Sequence, residues 1–362
     1  MEDRILQKAA KWAVARLICA PAFLMPYRMR IGYIKLLSAV FHAPFRAFGR
    51  LARVLLDLLQ IEPRDPRSSP ASAGFKHTAQ ERTASGSVAV LFSGGTDSTC
   101  TAVLMAPTHT EVHLLTFHEH ATRFSPEPRA NVLLLQKHFP QTIFHHQMFS
   151  VDSLVRHLCY ERYIRNVAKH GLLALANPGF SALSWHIRTI VYCLEHDITK
   201  VVDGLTRELM HFPGHMDAVV AEIRLLYRKF GIIYENPVRE WHTPPDQQFI
   251  DKVIVNRHED FLFGDWQHGS ERTTGRYLFE LGLFPSPNIK GSSIDFSMQH
   301  DCYPFSLYNI IAFWGYLSVE PYPLFCDRIA RIMQEKIASA KQLIEEYRAL
   351  GERSHMDVLI QR

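Results

Sequence analysis

The residues best suited to chemistry in this chain are contiguous. Ser93, Gly94, Gly95, Thr96, Asp97, Ser98 and Thr99 stand directly after the apolar run Val88–Phe92 and before a second apolar run. Glycines take backbone conformations closed to other residues, and without side chains they let phosphate oxygens approach the main chain. The first peptide N–H groups of a following helix are free, and they point outward along the positive end of the helix dipole. Ser93, Thr96, Ser98 and Thr99 add hydroxyl donors. Such a loop suits an anion with several oxygens, most simply pyrophosphate. Asp97 adds a constraint, because a carboxylate beside phosphate is repulsive unless a cation lies between them, and Mg²⁺ is the natural bridge. The chain has neither GxxxxGK[ST] nor GxGxxG, so two common phosphate loops are excluded.

Val88–Thr99 resembles the PP-loop of the N-type ATP pyrophosphatases, whose signature is an apolar strand followed by SGGxDS or SGGxDT. That family includes GMP synthetase, asparagine synthetase, argininosuccinate synthetase, tRNA-thiolating enzymes and 7-cyano-7-deazaguanine synthase. The resemblance implies ATP and Mg²⁺ as cofactors, cleavage of ATP to AMP and pyrophosphate, and adenylation of a carboxylate or carbonyl oxygen. A nitrogen nucleophile would then displace AMP, with a small molecule or a modified base as substrate. It implies a nucleotide cradle from Ser93 to Thr99, with Asp97 as a metal ligand and Asp97 and Ser98 in the chemistry. Many family members then have a short loop and an alanine-containing helix leading to a strand that ends in glycine, with an acid four positions later. Asn177-Pro178-Gly179-Phe180-Ser181, a helix to His196 and the run KVVDGLTRE fit this order. By that likeness Gly179 and Gly204 border the nucleotide, and Glu208 is a second carboxylate near Mg²⁺, with Asp203 as an additional candidate. Phe117, within Thr116–His118, falls where family members hold adenine.

Adenylyl transfer gathers negative charge on pyrophosphate, so a lysine or arginine must reach the site. Arg188, Arg207, Arg239, Arg276 and Lys290 are candidates, with Arg207 best placed inside DGLTRE. Among twenty histidines, His113, His118, His120, His145 and His146 gather around two strand-like runs. Alternate residues of a strand share a face, so His118 and His120 are able to converge on one ligand. His211 and His215 have the spacing of a helical metal pair, but Pro213 and Gly214 oppose a regular helix between them, so HFPGH reads instead as a loop over the site. Asn288–Cys302 is a second candidate for a substrate-side loop.

Six widely scattered cysteines form no CxxC pair, which argues against a disulfide framework and a four-cysteine zinc site. 7-Cyano-7-deazaguanine synthases carry such a site near the C-terminus. Here only Cys302 and Cys326 lie in that region, so zinc is not expected and simple membership of that subfamily is opposed. Paired cysteines and a nucleic-acid module are both missing from the pattern, so tRNA-type sulfur transfer ranks below amide formation or base modification. A nucleotide-binding sensor or assembly protein without turnover is the alternative from a different class.

The elements that must position these residues follow from periodicity. Strands are expected at Val88–Phe92, Glu111–Phe117, Thr142–Phe149 and Lys200–Val202. Helices are expected from Asp97 or Ser98 to Met105, over Pro128–Phe139, over Asp152–Lys169 and over Ser181–His196. This alternation implies right-handed crossovers and an α/β fold: a Rossmann-like parallel sheet with helices on both faces. By the resemblance, a PP-loop domain is expected over 87–240. Residues 241–362 form a mostly helical substrate or cap region, closed by a helix over Arg331–Tyr347. Residues 62–86, rich in Pro, Ser, Gly and charge, read as a linker. The net charge of +4 is concentrated in the first 60 residues, where ten Lys and Arg stand against Glu2, Asp3 and Asp57. Segment 1–61 is therefore a basic helical unit, expected either to dock on an anionic membrane or partner protein or to cap the enzyme's own surface. Its apolar run Trp12–Pro26 is too short and broken to span a bilayer, and a cytoplasmic location is expected.

Overall fold

The structure is a computed structural model. It describes residues 2–25, 86–119, 122–123, 128–175, 177–207, 211–241, 273–287, 289, 301–302, 304–317 and 319–360, with residues 29, 32, 33 and 36. The candidates His120, Glu208, Asn288 and Lys290 lie outside the described residues, as do residues 37–61 of the N-terminal segment and nearly all of the expected linker.

Five parallel strands form the central sheet: β1 (Ser87–Leu91), β2 (Glu111–His118), then Ile143–Ser150, Lys200–Asp203 and Ile233–Glu235. A two-residue strand, β3 (Thr122–Arg123), intervenes in sequence and pairs antiparallel with Asp301–Cys302. In chain order the remaining sheet strands are therefore β4, β5 and β6. Their spatial order is β4-β2-β1-β5-β6. SVAVL takes the middle position because both of its faces are apolar, as a parallel strand covered on both sides requires. IFHHQMFS is half polar and takes an edge.

Residues alternate between two cores. Val88, Val90, Val112, Leu114 and Val202 face one side and pack on α2 (Thr96–Met105) and α3 (Pro128–His138). Ala89, Leu115, Phe117 and Val201 face the other side. There they meet α4 (Asp152–Tyr160), Asn177–Glu195 and Asp217–Lys229. The fold is thus the expected α/β architecture, with a Rossmann-like parallel sheet and helices on both faces.

Several expectations change. The helix expected over Ser181–His196 runs Asn177–Glu195, so Asn177–Ser181 is its first turn and not a loop before it. The single helix over Asp152–Lys169 is broken into α4 and α5 (Tyr163–His170), because Glu161 turns extended and Arg162 is left-handed at φ 54°. The apolar face of α4 ends at Cys159 and α5 buries no residue, so packing does not hold the two in line. Asp217–Lys229 and β6 extend the alternation, although Val219, Val220, Ile223, Leu226 and Tyr227 already carried a helical period. With Asn177–Glu195 as α6 and Asp217–Lys229 as α7, two short helices follow, α8 (Thr274–Glu280) and α9 (Pro304–Asn309). The closing helix, α10, is longer than its apolar stripe suggested. It runs Tyr322–Leu350 and buries Phe325, Ile329, Ile332, Met333, Ile337, Ala340, Leu343 and Ile344 in the core that contains α6 and α7.

The first helix, α1 (Glu2–Leu24), buries Ala15, Cys19 and Ala22 in that same core, against the π-helical turn Ile310–Tyr316. This part of the N-terminal segment therefore caps the fold. No helix among the described residues is long and apolar enough to cross a membrane.

Candidate functional site

The chain runs from β1 to β2 and β4 on one side, then returns to β5 on the other. The sheet's switch point therefore lies between the carboxyl ends of β1 and β5, where open α/β sheets bind ligands. Two loops meet there: Ser93–Gly95, leading into α2, and Gly204–Arg207, following β5.

Gly94 is left-handed at φ +82°, a conformation that L side chains rarely adopt. Its carbonyl accepts from Asn131 Nδ2 of α3 at 2.6 Å and from Thr99 Oγ1 at 3.4 Å. Gly95 is the N-cap of α2, and no side chain caps that helix. Ser98 Oγ donates to Gly95 O at 3.1 Å and lies 3.1 Å from Ser93 Oγ, which accepts from Gly95 N at 3.2 Å. The hydroxyls of Ser98 and Thr99 thus donate within the loop, so they shape it rather than stand ready as phosphate donors. Thr96 differs: its hydroxyl oxygen is buried and has no hydrogen-bond partner among the described residues. Such an orphaned polar atom costs about 1–3 kcal/mol unless something binds it.

Gly204 lies against the start of α2. A Cβ there would stand 2.5 Å from Asp97 C and 2.5 Å from Ser98 N, both backbone atoms that cannot rotate away. Gly204→Ala should therefore destabilise the fold by about 2–3 kcal/mol. Chemical denaturation of the two proteins checks this, and parental stability in the variant would contradict the packing described.

Asp97 is half-buried. Its Oδ1 accepts from Thr274 Oγ1 of α8 at 2.5 Å, so a residue 177 positions away holds it. Gly275 places α8 next to Thr96, with a would-be Cβ 3.6 Å from the Thr96 methyl. His215 hydrogen-bonds through Nδ1 to Thr206 O at 2.9 Å and lies within electrostatic range of Asp97 and Asp203. Burial holds this imidazole below its ordinary pKa. HFPGH thus sits beside the loop after β5.

Several candidates are committed elsewhere. Asp203 accepts from Leu205 N at 2.9 Å, from Asn236 Nδ2 at 2.7 Å and from the Tyr234 hydroxyl. Burial raises its pKa and these bonds pull it back. This carboxylate builds a turn and is not presented to a metal. Gly179 packs into Pro213, with a would-be Cβ 2.6 Å from Pro213 Cβ, so a side chain closes that space. Arg207 is held by Glu240 at 2.9 Å and Asp217 at 3.4 Å. Arg276 pairs with Glu280 in the next turn of α8, and Arg188 lies over the Phe149 ring at 4.2 Å. Among the described residues, Arg239 is a buried cation close to His215 and the loop after β5. Its Nη2 donates to His215 O at 2.9 Å and Asp217 Oδ1 at 2.6 Å, while Nη1 is buried without a hydrogen-bond partner among the described residues.

At the ends of β2 and β4, Phe117 stacks on Phe149 and on Trp185 of α6, with centroids 6.0 and 6.4 Å apart. The next position past β2 holds a residue that sequence reasoning passed over. Glu119 is 4% exposed, and Ser181 Oγ donates to it at 2.7 Å. Burial raises its pKa to about 7; the Ser181 bond opposes that rise and Asp152 adds to it. No local pattern marks Glu119, Asn131 or Thr274. The strand histidines divide: His146 bonds Thr116 Oγ1 at 2.9 Å, whereas His113 and His145 stack on each other near the opposite end of the sheet. No family model matches this chain, and a search of curated proteins finds no match.

Proposed function

We propose that this chain is an AMP-forming enzyme of the PP-loop type that splits ATP to AMP and pyrophosphate. The observation that carries the reading is the N-terminus of α2 at the sheet's switch point, which no side chain caps, with the Thr96 hydroxyl buried there and without a hydrogen-bond partner among the described residues. An α-helix start with open N–H groups binds polyoxyanions, and left-handed Gly94 gives the backbone its concave turn. In this reading an acceptor carboxylate or carbonyl oxygen attacks the α-phosphorus of ATP. The bond to the bridging oxygen breaks and pyrophosphate leaves. A nitrogen nucleophile then attacks the activated carbon and expels AMP.

Asp97, held by Thr274, would hold Mg²⁺ there, since a carboxylate among hydroxyls suits a hard cation. When bound, the metal offsets the repulsion between this carboxylate and the phosphates. Arg239 replaces Arg207 as the preferred partner for charge on pyrophosphate, because two carboxylates already hold Arg207. The ring wall of Phe117, Phe149 and Trp185 suits the adenine base.

Incubation with α-labelled ATP, Mg²⁺ and a panel of carboxylate, amide and nucleobase acceptors tests the proposal. Labelled AMP and equimolar pyrophosphate are expected with at least one acceptor. Absence of both, together with no Mg²⁺-dependent ATP binding, would falsify it. The commitment of Arg207 to Glu240 and Asp217 favours a second reading, a nucleotide-binding protein without turnover. Mg²⁺-dependent ATP binding with no AMP from any acceptor is the result that reading expects.

A further inference from the structure

Glu111 opens β2, His113 follows two residues later, and His145 of β4 is the register partner of His113. Residues two apart on a strand share a face, and so do register partners on neighbouring strands. The three side chains therefore converge near the amino ends of the strands. From the register of Ser87 with Glu111, this point lies six strand positions from Ser93, about 20 Å from the nucleotide loop.

The distances suit a metal. Glu111 Oε2 lies 3.5 Å from His113 Nε2 and 3.3 Å from His145 Nε2, and the two imidazoles stack with centroids 4.6 Å apart. Tetrahedral Zn²⁺ with bonds of about 2.0–2.1 Å sets its donors about 3.3–3.4 Å apart. His113 Nδ1 is 2.8 Å from the hydroxyl of buried Tyr192, which orients the ring and turns Nε2 toward the cluster. A hydrogen bond at the other ring nitrogen is the usual companion of a ligating histidine. The His113 side chain is 9% exposed, whereas Glu111 and His145 are 40% and 43% exposed, so the cluster is anchored on one side and reachable from solvent on the other.

We propose that Glu111, His113 and His145 form a binding site for a first-row divalent metal, with Zn²⁺ as the best match, distinct from the nucleotide loop. Two imidazole nitrogens and one carboxylate oxygen make a donor set that zinc takes and that Mg²⁺, which prefers oxygen, does not. Three protein ligands leave a coordination position for water. The site also ties edge strand β4 to β2. The sequence argument against zinc concerned cysteines, and this site uses none.

The test uses the full chain, stripped with chelator and titrated with Zn²⁺ alone, with Co²⁺ as a spectroscopic probe. One Zn²⁺ per chain is expected at micromolar concentrations, with visible Co²⁺ absorption of a four- or five-coordinate site. His145→Ala and Glu111→Gln change exposed side chains, and each should weaken binding at least about tenfold. Asp97→Asn, at the other end of the sheet, should leave Zn²⁺ binding unchanged. No stoichiometric binding, or binding that both cluster variants retain at parental affinity, overturns the assignment. Zinc lost in Asp97→Asn but kept in the cluster variants would place the ion at the nucleotide loop and overturn it as well.

Discussion

Asp97→Asn should cut AMP formation by about 100- to 1000-fold while leaving the fold intact. The substitution is isosteric, and an amide oxygen still accepts the Thr274 hydroxyl that holds Asp97 Oδ1 at 2.5 Å. What it removes is the negative charge at the start of α2. That charge would act through the Mg²⁺ it holds, and loss of one such electrostatic support for charge developing in the reaction is worth a factor of this size. A second readout is independent of the acceptor substrate: in the parent ATP binding should depend strongly on Mg²⁺, and in the variant that dependence should flatten. Parental AMP formation together with unaltered Mg²⁺ dependence would remove Asp97 from the proposed site. Flattened dependence in a protein whose parent makes no AMP would instead favour the binding protein without turnover.

Glu119→Gln should stabilise the protein above neutral pH and change little below pH 4.5. The Glu119 carboxyl has its pKa raised from 4.5 to about 7, burial being the largest cause. Between those values the folded state keeps a proton that the unfolded chain has released. Stability therefore falls as pH rises through that window, and the full cost is present above it. The interval corresponds to about 3 kcal/mol. Glutamine does not ionise, and its amide oxygen still accepts from Ser181, so the variant escapes that cost. Denaturant unfolding at pH 5 and pH 8 measures it: the advantage of the variant should grow by about 2–3 kcal/mol between the two. An advantage that is equal at both pH values would mean that Glu119 does not titrate in this window. Because the group changes protonation near neutral pH at the carboxyl end of β2, an acid–base limb near pH 7 that disappears in Glu119→Gln would link it to catalysis.

The same residues show where local information ends. The strand–loop–helix unit at Ser87–Met105 could be read directly, because an apolar run, two glycines and a second apolar run stopped before Pro107 are properties of adjacent residues. The histidine pattern was visible too, but its pairing was not: His113 meets His145 only through the β2–β4 register. Arg207 and Asp203 looked available because charged residues in a glycine loop are usually solvated. In the fold Glu240, Asp217, Tyr234 and Asn236 claim them. The helix break at Arg162 was hidden for the same reason, since periodicity continues through α4 and α5 while buried contacts do not.

The sequence by itself determined the sheet class, the buried strand Val88–Leu91 and the glycine turn into a helix after it, because each depends on backbone preferences and on the alternation of contiguous side chains. Only the tertiary structure decided which distant groups complete that loop. Asn131 reaches Gly94 across 37 residues, and Thr274 reaches Asp97 across 177. The strand order β4-β2-β1-β5-β6 brings the ends of β1 and β5 together, and a short polar side chain finds its partner only after the crossovers have set the sheet. That is also why a buried Glu119 titrating near neutrality leaves no mark in the sequence: its environment is made by Ser181 and Asp152, from elements that fold onto it.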